Sequence, residues 1–221
     1  CQIDGYYHSM GLDKNGKVWC WGDNRQGQLG DNTIVSKRTP IAIGGANKTF
    51  CQILAIGAAS IALDNHGQVW GWGQNNFGQL GVNSLINKST PTAILGATKT
   101  FCKITGWGSN VLAVDYKNKV WGWGYNSYGQ LGDGTSINRS TPVALITTKT
   151  FCKITAGSQH SLAIDNNDRV WGWGDASLLD IGLLPYSPIL GLIANTKTFC
   201  QIAGGYYTAS VSYTHLTLPT I

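Results

Sequence analysis

The chain has 221 residues, among them 29 glycines and nine tryptophans, and all eleven acidic residues are aspartate. Charged residues make up 12% and hydrophobic residues 43%, a balance that excludes an intrinsically disordered chain. No apolar run approaches the roughly 18–20 residues of a membrane-spanning helix, and a formal charge of +5 is too mild to indicate a nucleic-acid surface. Without glutamate and with abundant Gly, Asn and Asp, the composition points to short strands and tight turns rather than helices.

In chain order, residues 18–33 read VWCWGDNRQGQLGDNT, residues 69–84 VWGWGQNNFGQLGVNS and residues 120–135 VWGWGYNSYGQLGDGT. A damaged copy, VWGWGDASLLDIG, starts at Val170. The leading tryptophans Trp19, Trp70, Trp121 and Trp171 are spaced by 51, 51 and 50 residues. Cys1, Cys51, Cys102, Cys152 and Cys200 repeat the period at 50, 51, 50 and 48. A period of about 50 suits a propeller blade and exceeds the common helical repeats.

One unit resolves into strands. FCKITAG (151–157) alternates apolar and polar residues and meets a glycine, and HSLAID (160–165) forms the next strand. The turn DNND (165–168) matches DKNG, DNHG and DYKN elsewhere. Its last position holds Gly, Gly, Asn or Asp, the residues that best tolerate positive φ. RVWGWG returns as the third strand, and a loop carrying Gly-Gln-Leu-Gly leads to Thr-Pro, which suits the first residue of an edge strand. Trp121 and Trp123 share one face of their strand, and Gly122 leaves the other bare. The tryptophans are therefore expected to pack blade on blade, wide rings against a flat glycine surface of the neighbour.

The succession H-S-L-A-I-D, V-W-G-W-G, N-x-x-x-G-Q-L-G and T-P resembles the regulator of chromosome condensation repeat family. The matches run from Asn24 to Gly30, Asn75 to Gly81 and Asn126 to Gly132. The resemblance covers roughly residues 1–211 and implies an all-β fold, a β-propeller of four-stranded blades that is usually seven-bladed around a channel. About four consecutive blades of about 50 residues are expected here. The same phase at both ends, CQIDGYYHS and CQIAGGYYTAS, predicts an open arc of a larger ring, and the chain reads as a fragment of a longer protein. Residues 1–211 form the repeat domain; residues 212–221 lack the Asp turn and the Trp strand and read as a non-repeat tail, akin to translated sequencing adapter.

No catalytic, cofactor-binding or metal-binding residue is expected, and the chain is read as a non-enzyme. One cysteine per unit offers no disulfide framework and no zinc spacing, so these thiols are expected to be half-buried packing residues. The resemblance implies that some relatives place a second cysteine two residues after the His, across the hairpin from a cysteine like Cys20; here that slot holds Met10, so Cys20 has no evident partner. Unpaired thiols and the lack of a signal peptide favour a cytoplasmic setting. His8 and His160 share a slot with Ala59, Asn110 and Thr208, a variability that favours a structural hydrogen bond over catalysis. Asp13, Asp64, Asp115 and Asp165 are turn residues without a facing carboxylate. Lys48, Lys99, Lys149 and Lys197, each in a Lys-Thr-Phe run, should line one rim as charges guarding strand ends, with polyanion contact as the alternative. Asn47, Asn87 and Asn138 open Asn-x-Ser/Thr triplets that matter only in a secreted protein.

The resulting expectation is an interaction scaffold binding a protein partner through its variable loops at 31–38, 82–89, 133–140 and 183–187. The family resemblance adds an alternative, guanine-nucleotide exchange on a small GTPase with chromatin association. A further alternative is an enzyme-inhibitory or carbohydrate-binding propeller anchored by Phe77, Tyr125 and Tyr128. Nucleic-acid contact is not favoured, and no membrane partner is expected.

Overall fold

A computed structural model describes residues 1–44, 48–95, 100–175, 186–194, 199–206 and 209–213. The first sheet contains β1 (Gln2–Gly5), β2 (His8–Leu12), β3 (Val18–Gly22) and β4 (Lys37–Ala42). The second contains β5 (Phe50–Ile56), β6 (Ala59–Asp64), β7 (Val69–Gly73) and β8 (Lys88–Ala93). The third contains β9 (Phe101–Trp107), β10 (Asn110–Asp115), β11 (Val120–Gly124) and β12 (Arg139–Ala144). The fourth contains β13 (Phe151–Ala156), β14 (His160–Asp165), β15 (Val170–Asp175) and β16 (Tyr186–Ala194). A half sheet of β17 (Phe199–Gly204) and β18 (Ala209–Tyr213) follows. Each full sheet is an antiparallel meander in chain order.

The sheets pack in succession: β1 and β2 on β5, β5 and β6 on β9, β9 and β10 on β13, and β13 and β14 on β17. First strands therefore stand side by side on the inside of an arc, and the fourth strands form its outer edge. β6, β10 and β14 are buried along their whole length because the neighbouring blades cover both faces. The apolar core lies between blades, not within them. Met10, Cys20 and Leu29 of the first blade pack with Ile53, Ala62 and Trp72 of the second. Ile61, Leu80 and Ile94 meet Ile104, Val111 and Trp123 at the next junction, and Leu112, Leu131 and Leu145 meet Phe151, Ile154 and Trp173 at the third.

The hairpin turns follow their sequence. Gly16, Gly67, Asn118 and Asp168 all take positive φ, between 58° and 79°. In each hairpin one carboxylate oxygen of the leading aspartate accepts two backbone amides, as Asp64 does from His66 and Gln68 at 2.9 Å. The other accepts the indole N–H of the first strand tryptophan: Trp19–Asp13 at 3.1 Å, Trp70–Asp64 and Trp121–Asp115 at 2.9 Å, and Trp171–Asp165 at 2.8 Å. The hydrogen bond from Trp19 is the largest influence holding the Asp13 carboxyl below its usual range.

Three details differ from the sequence reading. Pro40, Pro91 and Pro142 lie inside their strands rather than opening them. Each falls where the fourth strand shifts register on the third, for Pro91 between Gly71↔Thr92 and Gly73↔Lys88. An outer edge strand with a register break tolerates the missing N–H. Cys51, Cys102 and Cys152 are exposed, because each sits at a break in the pairing of the first strand. Their thiols donate to the carbonyls opposite, Cys51 Sγ to Leu63 O at 3.5 Å. Cys20 is instead buried opposite Met10, and burial pushes its thiol up to about 12. Third, Val211–Tyr213 continue β18, so pairing with β17 reaches beyond residue 211. Residues 214–221 lie outside the described residues, as do Asn47, Lys99, Lys197, Thr208 and the LDIG segment at 179–182.

Candidate interaction face

Each blade has two ends. At one end the turn between first and second strands meets the loop leaving the third strand: Gln74 N–H donates to Ala58 O and Tyr125 N–H to Ser109 O, both at 2.9 Å. This is the loop face. At the other end the Asp hairpins meet the entry to the next blade, Phe50 N–H donating to Gly16 O and Phe101 N–H to Gly67 O at 2.8 Å. This is the hairpin face.

The loop face is built on the motif asparagine, which is fully buried in three blades. Asn75 Oδ1 accepts the Leu80 amide at 3.0 Å, while its Nδ2 donates to Ser84 O at 2.7 Å and Ile86 O at 3.2 Å. Asn24 holds Leu29, Thr33 and Val35 in the same way, and Asn126 holds Leu131, Thr135 and Ile137. One side chain thus satisfies backbone groups across an irregular loop, which otherwise would have to be hydrated or left unpaired. Aspartates reinforce two of the loops. Burial would raise Asp133, yet the Thr135 hydroxyl and the Arg139 guanidinium hold its carboxyl below the usual range; Asp31 is held down by Thr33 and Asn24 against the same burial.

The segment that Asn clamps carries large apolar side chains into solvent. Ile34 and Val35, Leu85 and Ile86, and Ile137 are 60–70% exposed, at matching positions of the three loops. They fall inside the expected binding loops 31–38, 82–89 and 133–140. Of the fourth loop, 183–185 lie outside the described residues, and Tyr186 and Ser187 open β16.

Phe77, Tyr125 and Tyr128 are brought together on this face. Phe77 stands edge-to-face on Tyr125 at 5.0 Å between ring centroids, and Tyr125 on Tyr128 at 6.2 Å. Phe77 belongs to the second blade and the tyrosines to the third, so the cluster bridges a junction. A second cluster, not foreseen from the sequence, gathers where first-strand turns converge: Tyr6 of the first blade meets Trp107 of the third at 5.8 Å and its neighbour Tyr7 at 4.9 Å. Burial, then Tyr7 and Tyr206, raise the Tyr6 hydroxyl above its ordinary value. The tyrosine pairs at Tyr6–Tyr7 and Tyr206–Tyr207 were the sequence signal, since both fall at one repeat phase.

The motif glutamine and glycine serve the junctions. Gln28 O, Gln79 O and Gln130 O accept the indole N–H of the following blade's second tryptophan: Trp72 at 2.9 Å, Trp123 at 3.0 Å and Trp173 at 2.8 Å. A Cβ on Gly30, Gly81 or Gly132 would stand 2.8–3.1 Å from the Nε1 of those rings. The glycine surface that meets each tryptophan is therefore in the loop, not in the strand. The strand glycines make room within their own blade instead, Gly71 for Leu80 and Gly122 for Leu131.

His8 occupies a buried slot at the first junction. Its Nε2 lies 2.6 Å from Ser60 Oγ, whose hydroxyl donates to Gln28 O at 2.7 Å, so Nε2 carries the proton. Burial lowers its pKa to about 4, outweighing the nearby Asp23 carboxylate. Asn110 fills the same slot by donating to Gly157 O at 3.0 Å. His160 is buried in the fourth blade, where a Cβ on Gly157 would collide with its ring.

Regulator of chromosome condensation (RCC1) repeat profiles match residues 5–28, 66–111 and 117–164. The chain belongs to this repeat family. It is 34% identical to human "Probable E3 ubiquitin-protein ligase HERC4" over 141 residues, 62% of this chain and 13% of that protein. It is 30% identical to the Arabidopsis thaliana "Ultraviolet-B receptor UVR8" over 141 residues, 32% of that protein. Prp20p from Saccharomyces cerevisiae superposes with a TM-score of 0.83 at 21% identity, over 98% of this chain and 56% of that one. Human WBSCR16 gives 0.72 at 19% identity, over 91% and 68%. The fold is that of RCC1 β-propellers, and the chain spans only part of its relatives' length.

Proposed function

We propose that the chain is a non-enzymatic protein-interaction module that binds its partner through the loop face. The observation that carries this reading is the set of exposed aliphatic side chains, Ile34–Val35, Leu85–Ile86 and Ile137, each held from below by a buried asparagine. Exposed apolar groups on a rigid frame favour association because little ordering is left to oppose binding. The bridging cluster of Phe77, Tyr125 and Tyr128 adds the kind of rings that anchor protein interfaces.

The test is a comparison of proteins cross-linked to the wild-type chain and to a Leu85→Ser, Ile86→Ser, Ile137→Ser variant. Partners lost with the variant, at an unchanged thermal midpoint, support the reading; an identical set of partners refutes it. The alternative of nucleotide exchange draws on Prp20p, whose described binding to Gsp1p and histones is that protein's own property. Release of fluorescent GDP from a small GTPase on addition of the chain would favour exchange over scaffolding. Binding of oligosaccharides lost on Phe77→Ala would favour the carbohydrate reading.

A further inference from the structure

Among the described residues the charges, apart from Lys103 and Lys153 within the first strands β9 and β13, are sorted between the two faces. On the loop face Arg25, Lys37, Arg38, Lys88 and Arg139 are matched by Asp4, Asp23, Asp31, Asp133 and Asp175. Three of these cations are in ion pairs: Arg25–Asp23 at 2.9 Å, Lys37–Asp31 at 3.8 Å and Arg139–Asp133 at 2.6 Å. On the hairpin face stand Lys14, Lys17, Lys48, Lys117, Lys119 and Lys149, together with Arg169. The leading hairpin aspartates have their oxygens occupied by turn amides and indole N–H groups, and Asp64, Asp115 and Asp165 are buried. Asp168 is the exposed carboxylate among the described residues there, and the described ion pair joins Arg169 to Asp165 at 2.8 Å.

The lysines of this face are also positioned. Lys17, Lys48, Lys119 and Lys149 place Nζ 4.3–5.3 Å from the ring centres of Trp19, Trp70, Trp121 and Trp171. That contact holds an ammonium without neutralising it. In the fourth blade, Lys149 and Arg169 line a recess of about 270 Å³ with Thr148, Thr150, Asn166 and Asn167, over the Asp165 carboxylate. Cations and amide donors around an open recess suit an oxyanion such as a side-chain carboxylate.

We propose that the hairpin face is a docking surface for a flexible acidic segment of a partner polypeptide, separate from the loop face. Charge complementarity identifies the partner's sign, and the layout identifies its class. The cations recur at two places in the repeat, with Lys17, Lys119 and Arg169 four residues after the hairpin aspartate and Lys48 and Lys149 at the entry to a blade. Each of the four full blades thus carries at least one, and the cations follow the curve of the arc. A DNA duplex, stiff over about 50 nm, crosses such a curve as a chord and meets few of them. The tryptophan rings beneath are covered by lysines and hold their N–H on aspartate, which removes the stacking platform that single-stranded nucleic acid uses. Lysine rather than arginine predominates, matching dispersed carboxylates with mobile point charges rather than with fixed forks.

Fluorescence anisotropy with a labelled oligo-glutamate peptide, a DNA duplex and oligo-dT tests this with the 221-residue chain. The chain binds oligo-glutamate more tightly than either DNA, and the affinity falls as salt rises. Lys14→Glu with Lys117→Glu, at hairpin tips clear of the tryptophans, weakens binding roughly tenfold or more at an unchanged thermal midpoint. Lys88→Glu on the loop face leaves it within about twofold. Absence of peptide binding at low salt overturns the proposal, as does tighter binding of either DNA. Equal losses in the Lys88 variant and the hairpin variant would also overturn it, since net charge rather than the face would then govern binding.

Discussion

The first and second blade junctions share one frame and differ in what they bury. Each seats a tryptophan, Trp72 or Trp123, against the glycine and glutamine carbonyl of the preceding loop. At the first junction that carbonyl also takes the Ser60 hydroxyl, with the His8 ring behind it. At the second junction the same places hold Ala59 and Val111, both fully buried. The third returns to a polar solution, Ser161 on Gln130 O and Asn110 on the Gly157 carbonyl. The indole–carbonyl bond and the close glycine are the constant part of blade stacking; the polar supplement can be replaced by apolar packing. A buried polar network offers little net stability over an apolar isostere and introduces a sensitivity that the isostere lacks.

Replacing Trp72 or Trp123 by alanine should have the largest effect, about 3–5 kcal/mol each, and near-equal losses in chemical denaturation would establish the shared frame. A much smaller loss for Trp72 would mean that the His8–Ser60 chain carries its junction. Gly30→Ala and Gly81→Ala should each cost roughly 2 kcal/mol, because the added carbon meets a buried ring at positive φ. A neutral effect on thermal midpoint would show that the loop gives way easily.

Acid should separate the two junctions. His8 is neutral when folded down to about pH 4 and titrates near 6.5 when unfolded. The unfolded chain therefore binds the extra proton between these values. Stability is full above about pH 6.5 and declines as pH falls towards 4, by about 2 kcal/mol at pH 5. Hydrogen exchange should show β5 and β6 losing protection in this window before β9 and β10. His8→Asn, the residue type that the slot holds in the third blade, should flatten the decline; a profile unchanged by it would assign acid sensitivity elsewhere. The smallest effect belongs to the hairpin end: Lys48→Ala should cost about 0.5 kcal/mol, read as a shift in denaturant midpoint.

Much of this was legible in the residues. The 50-residue period, the strand at 160–165, the turns ending in Gly16, Gly67, Asn118 and Asp168, and the packing role of the tryptophans all rest on local periodicity and backbone preference. The binding loops could be named as variable segments between constant ones. That their apolar tips are clamped by Asn24, Asn75 and Asn126 could not, because each clamp closes over some ten residues of irregular chain. The three aromatic residues of the loop face were named from the sequence as anchors, and only the fold set Phe77 of one blade edge-to-face on Tyr125 of the next.

By itself the sequence determined the unit, its strands and its turns, since these depend on neighbours a few positions away. Only the tertiary structure decided which glycine meets which tryptophan. Strand periodicity identifies faces, but Gly30 and Trp72 lie in different units and meet when one blade is laid on the next. Among the described residues the same stacking set a balanced loop face against a lysine-rich hairpin face. Composition sums charges along the chain, whereas the meander sends alternate turns to opposite ends of every blade.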